Sequence, residues 1–182
     1  MHLGRAVQGL SLALLASLSI NCGYRISGNY SVTLSNGFYW LQLVQASSQV
    51  LSGQLETFIV IEDRENCHEI WRPHPSGYGN EITTLCGWKV QHDTVPLVGN
   101  IDGENIFLRS VTPGISLSGF LKGDQVTLTG WSPSPIGLKR AEFKNYQQQL
   151  DRWNALTQAK NTSTFPEGLR SCTAFWDTNC IK

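Results

Sequence analysis

Charge is scarce in this chain. Asp, Glu, Lys and Arg make up only 15% of its 182 residues, 14 of each sign, and no basic run with interleaved aromatics occurs. A nucleic-acid partner needs a concentrated positive footprint, so that class is disfavoured. The apolar run from Leu10 to Ile20 is too short to span a bilayer as a helix. There is no Cys-x-x-Cys pair. His68-Glu69 and His74 do not stand at the spacing of a helical zinc protease motif. No catalytic or cofactor motif stands out, and the sequence implies no cofactor and no metal.

What is present begins with a leader. Arg5 precedes the apolar run, and Ser17-Leu18-Ser19 supplies small residues for a cleavage, so residues 1–21 read as a secretory signal peptide. A cut just before Cys22 would leave an N-terminal cysteine open to lipidation, the one route to a membrane that the sequence offers. Removing Cys22 leaves Cys67, Cys86, Cys172 and Cys180, an even set in an exported chain. Three pairings are possible, and loop-closure entropy favours Cys67 with Cys86 and Cys172 with Cys180. The first bridge is worth about 3 kcal/mol by the chain-entropy model. An oxidising compartment makes disulfides the better reading than a zinc site from Cys67, His74, Cys86 and His92.

The body of the chain is dominated by one unit. VPLVGNIDG, from Val95, returns as ISLSGFLKG, from Ile115, and a fainter copy, VLSGQLE, starts at Val50. Each is a half-buried strand entering a glycine turn. Period-two alternation marks Ile26 to Leu34 as the first strand, and Asn36-Gly37 is a strong hairpin signal into Phe38 to Val44, which is apolar on both faces. Further strands follow at Leu51 to Ile61, Ile82 to Gln91, Val95 to Ile101, Asn105 to Val111, Ile115 to Leu121 and Gln125 to Trp131, with Pro96 placing a bend or an edge. Beyond Pro135 the period changes. Phe143, Tyr146, Leu150 and Trp153 recur at three and four residues, so Leu138 to Lys160 reads as one amphipathic helix. The expected division is a barrel over 22–131, a helix packed on it over 132–160, and a disulfide-closed tail over 161–182.

Eight consecutive antiparallel strands have two edges to protect, and closure into an up-and-down β-barrel removes both. The fold class is therefore mainly β, an eight-stranded antiparallel barrel with one C-terminal helix. Signal peptide, eight-stranded meander and terminal helix together resemble the calycin-type barrels, the lipocalins and avidins. Lipocalins open their first strand with Gly-x-Trp, and this chain has Gly28-Asn29-Tyr30. The resemblance implies a ligand held inside the barrel.

Three functional readings follow. The first is a non-enzymatic binding module for a small apolar molecule, with Trp40, Gly53, Trp88, Gly99 and Gly119 as pocket residues, because mid-strand glycines either bend the wall or leave room for a guest. The second rests on the irregular charged stretch 62–81, whose Trp71, Arg72 and Tyr78 are residue types enriched in protein-binding hot spots, as in an envelope inhibitor. The third is a small hydrolase centred on His68 or His74, with His92-Asp93 near by.

Overall fold

The computed structural model describes residues 26–111, 114–165, 170–171 and 180–181. The expected signal peptide, Cys22 and Cys172 of the proposed Cys172–Cys180 bridge lie outside those residues. Ten strands form one sheet: β1 (Gly28–Thr33), β2 (Gly37–Gln45), β3 (Val50–Pro73), β4 (Asn80–Asp102), β5 (Asn105–Ser110), β6 (Ser116–Lys122), β7 (Gln125–Thr129), β8 (Ile136–Ala141), β9 (Arg170–Ser171) and β10 (Cys180–Ile181). The first eight pair in sequence, and β8 returns to pair with β1, so they close an antiparallel barrel. Among the described residues one helix, α1 (Phe143–Thr164), follows β8.

The eight-strand count is right but two assignments change. The expected fourth and fifth strands are one continuous strand, β4. Pro96 lies within it, one residue beyond the last β4–β5 pair, Leu97 with Ser110. Its carbonyl accepts the Val111 N–H at 3.1 Å, and its missing N–H falls where no ladder partner needs it. The eighth strand is Ile136–Ala141, where the helix was expected to begin. Leu138 there points inward, 1% exposed, and the segment pairs with β7 and β1 at once. Closing the barrel satisfies two ladders of backbone groups, which overrides the helical spacing that follows. The barrel thus runs to Ala141 rather than residue 131, and the helix extends to Thr164.

The first turn also shifts. Leu34 donates to the Gly37 carbonyl at 2.8 Å, so Ser35-Asn36 is the loop and Gly37 already belongs to β2. By contrast Gly103 and Gly123, each with φ near +60°, open the two-residue turns between β4 and β5 and between β6 and β7, as the twist of a hairpin requires.

Inward side chains fill the barrel. Tyr30, Leu41, Leu43, Leu51, Leu55, Leu97, Leu108, Leu117 and Leu128 belong to one cluster of fifteen buried residues. Truncating one such leucine would cost about 2–5 kcal/mol. One end is closed by polar contacts: the Tyr30 hydroxyl donates to the Ile26 carbonyl at 2.7 Å and accepts from Arg140 at 3.1 Å, and the guanidinium also lies 5.2 Å from the ring centre. A second cluster, on the outer wall, explains why β2 is apolar on both faces. Phe38, Trp40, Phe58 and Val60 are covered by Trp153, with Tyr146 and Leu150 also packed against them. The helix is therefore held by aromatic packing on β2 to β4.

Register gives the barrel two distinct ends. Gly28, Gln45, Val50, Asp102, Lys122 and Ala141 stand at the end where the chain enters. At the opposite end β3 and β4 continue past the barrel as a two-stranded arm. They stay paired from Val50 with Asn100 to Pro73 with Asn80, with a shift between Asp63 and Cys67. The stretch 62–81 is thus mostly ladder, and only residues 74–79 form its turn.

Candidate functional site

The repeated glycine has a structural cause. Gly53, Gly99 and Gly119 lie directly opposite Leu43, Leu108 and Leu128 on the neighbouring strand. A Cβ at Gly99 would run into the Phe107 carbonyl, one at Gly119 into the Thr127 carbonyl, and one at Gly53 into the Gln42 carbonyl. Adjacent strands therefore approach too closely for any side chain. What the glycine admits is the backbone of the next strand, in a wall coiled tightly around a filled interior.

Trp40 and Trp88 stand apart from these glycines, in the second cluster beneath the helix. Trp88 is fixed there by the Asn161 side chain, which accepts the Trp88 N–H at 2.6 Å and donates to its carbonyl at 2.9 Å. The amide thus stands in for a strand on the side of β4 that faces away from β3. Lys160 lies 3.6 Å above the Trp88 ring centre, a cation–π contact.

Beside this cluster the structure assembles a polar group that sequence reasoning missed. The Glu56 carboxylate, 15% exposed, accepts the Tyr146 hydroxyl at 2.9 Å and contacts His92 Nε2 at 3.1 Å, while its other oxygen accepts from Gln54 at 2.9 Å. The His92 ring stacks on Phe58 at 4.0 Å. Burial, reinforced by the Glu56 hydrogen bond, pushes the Tyr146 hydroxyl up to about 12. No nucleophile completes a triad on the far ring nitrogen among the described contacts, and the group joins helix to barrel. Its sequence signal is the even-numbered face of β3, where Gln54 and Glu56 give way to Phe58 and Val60.

The arm carries the remaining candidates. Cys67 and Cys86 face each other across it, Cα atoms 3.9 Å apart, and are joined by a disulfide. Lys89 spans the register shift, 2.8 Å from Asp63 and 3.5 Å from Glu65, and the hydrogen bond to Asp63 raises its pKa. Trp71 is 8% exposed, in a strand that pairs with β10, whereas Tyr78 in the turn is 87% exposed. The Arg72 side chain lies outside the described residues. His68 meets Asn66 at 3.1 Å and His74 meets Ser76 at 2.6 Å, contacts within two residues in each case. Among the described residues no three His, Cys, Asp or Glu side chains are grouped to hold a metal.

One further concavity is an open groove of about 650 Å³ on the outer wall, bordered by Val50, Val98, Gly99, Phe107 and Arg109. Val50, Val98 and Phe107 expose apolar surface there. Comparison of the chain with protein-family models, with curated proteins and with solved structures finds no match.

Proposed function

We propose that the chain is an exported, calycin-like binding barrel without enzymatic activity, and that its working part is the arm, which engages a protein partner. The observation that carries this reading is Tyr78, almost fully solvent-exposed at the turn of a ribbon braced by a cross-strand disulfide. A large aromatic gains nothing for the fold at such a position, and a rigid ribbon lowers the entropy lost when it docks. The disulfide is compatible with an oxidising compartment, in keeping with export and with lipidation at Cys22.

Charge narrows the partner. Beyond the last β2–β3 pair, Gly37 with Ile59, residues 60–90 contain five acids, Glu62, Asp63, Glu65, Glu69 and Glu81, against Arg64, Arg72 and Lys89. A basic partner surface complements that arm. The test is capture of the partner from envelope extracts of the source cell by immobilised protein. Tyr78→Ala should weaken capture by about thirtyfold, a hot-spot effect, with an unchanged Tm. Undiminished capture would sink the proposal, and so would capture that ignores added salt.

A second reading keeps the small apolar ligand but moves it. The groove beside Val98, Gly99 and Phe107 has the volume of a small-molecule site, whereas the interior is occupied by leucines. An apolar ligand raising the Tm of wild type but not of Phe107→Ala would favour it.

A further inference from the structure

The end of the barrel where the chain enters carries a feature that neither reading uses. A cleft of about 950 Å³ opens between the β6–β7 turn, the end of β8 and the start of α1, and Gly28 of the entering strand lines it. Four cations border it, Lys122, Lys139, Arg140 and Lys144, against two acids, Asp124 and Glu142. The acids are engaged: Asp124 meets Arg140 at 3.0 Å and Glu142 meets Lys144 at 2.7 Å. No ion pair within the described residues involves Lys122 or Lys139. Both side chains point outward, since their neighbours Leu121 and Leu138 are buried in the barrel.

Two exposed aromatics flank these lysines. Phe120, 46% exposed, is two residues before Lys122 on the same face of β6, and Phe143, 61% exposed, immediately precedes Lys144. Cations beside exposed aromatics suit the boundary of an anionic bilayer, where headgroup phosphate meets acyl chain. A soluble anion would have no use for Phe120, whereas Phe143 also stacks on Tyr146, with ring centres 5.5 Å apart. Position argues the same way. Cys22 is four residues before Ile26, so the chain between them reaches at most roughly 14 Å. An acyl anchor at Cys22 would hold this end, and no other, against the membrane.

We infer that this sector, Lys122, Lys139 and Lys144 flanked by Phe120 and Phe143, is a docking surface for an anionic lipid bilayer. It rests on the exported reading for the compartment and for the Cys22 anchor that orients this end. Docked there, the barrel points its acidic arm away from the membrane, towards partners, because the arm leaves from the opposite end.

Vesicle flotation tests this with the exported chain carrying Cys22→Ser, which removes the acyl acceptor. Phosphatidylcholine vesicles containing phosphatidylglycerol should bind the protein, and phosphatidylcholine alone should not. In Lys122→Gln/Lys139→Gln, partitioning should fall about 25-fold, about fivefold per lysine, with an unchanged Tm because both lysines are exposed. Equal binding to the two vesicle types would overturn the inference, as would undiminished binding by the double variant. Thermal stabilisation by inorganic phosphate, lost in the double variant while vesicles fail to bind, would overturn it in favour of a soluble anion. Tyr78→Ala should float as wild type does, so failure of partner capture and failure of membrane docking are separate results.

Discussion

The contact between Gly99 and the Phe107 carbonyl can be tested by one methyl group. Gly99 lies within a strand and has no positive φ to protect. Alanine at such a position ordinarily stabilises by about 0.5–1 kcal/mol, because the unfolded chain loses freedom and the strand gains a side chain. Here the methyl would enter the Phe107 carbonyl and press on the Leu108 Cα, both backbone. Strand β5 would have to retreat, or β4 would have to flatten. Overpacking of this kind costs about 1–3 kcal/mol. The net expectation is destabilisation of about 1–2 kcal/mol, or roughly 2–8 °C in Tm for a chain of this size. Gly137→Ala supplies the internal control. Its Cβ would meet only the Gln125 amide nitrogen, at 2.6 Å, the far end of a flexible side chain. That variant should gain about 0.5 kcal/mol. Urea unfolding followed by tryptophan fluorescence measures both. If Gly99→Ala proved as stable as wild type, the close approach would not be what requires glycine, and a space kept for a guest would again be the better account.

Other consequences are checked more briefly. Tyr146 keeps its proton up to about pH 12, whereas in the unfolded chain it ionises near the ordinary tyrosine value of 10.0. Its raised folded pKa means that the Tyr146 contribution is complete below about pH 10 and is lost as pH rises to about 12. Tyr146→Phe should flatten that alkaline loss and cost roughly 1–2 kcal/mol at neutral pH, read from urea midpoints across pH. Asn161→Ala leaves the Trp88 N–H and carbonyl without their amide and should cost about 1–3 kcal/mol in the same assay. The disulfide closes a separation of 19 residues in the arm. In Cys67→Ala/Cys86→Ala the arm should be nicked about a hundredfold faster by protease, as the loss of about 3 kcal/mol implies, while the barrel resists as before.

The sequence made the barrel legible where a single physical rule governed the chain. Alternation marked Ile26 to Leu34 as the first strand, because one face meets a dry core and the other meets water, and the glycines that end VPLVGNIDG and ISLSGFLKG, Gly103 and Gly123, fell in the hairpin turns. Reading failed where two rules competed. Ile136 to Ala141 borders a helix and borrows its spacing, and only the partners β7 and β1, distant in sequence, make it a strand. The arm was hidden for the opposite reason: its strands meet little core, so charge and polarity on both faces erased the alternation that ladder pairing does not need. The pairing of Cys67 with Cys86 was legible, since loop-closure cost selects it without knowledge of the sheet.

The candidate site was less legible, because it is assembled across elements. Glu56, His92 and Tyr146 come from β3, β4 and α1, and no local motif links them. Lys122, Lys139 and Lys144 are likewise spread over β6, β8 and α1, in a chain whose net charge is zero. Composition averages away such an asymmetry; topology restores it. Register puts the chain entry and these lysines at one end of the barrel and the arm at the other. The same register changes the meaning of the glycines. Gly53, Gly99 and Gly119 each sit opposite a leucine of the next strand, so the recurring Leu-x-Gly records how closely two strands pack. A repeat that suggested an interior made for a ligand instead describes the wall, and it moves the search for binding to the outside of the barrel and to its two ends.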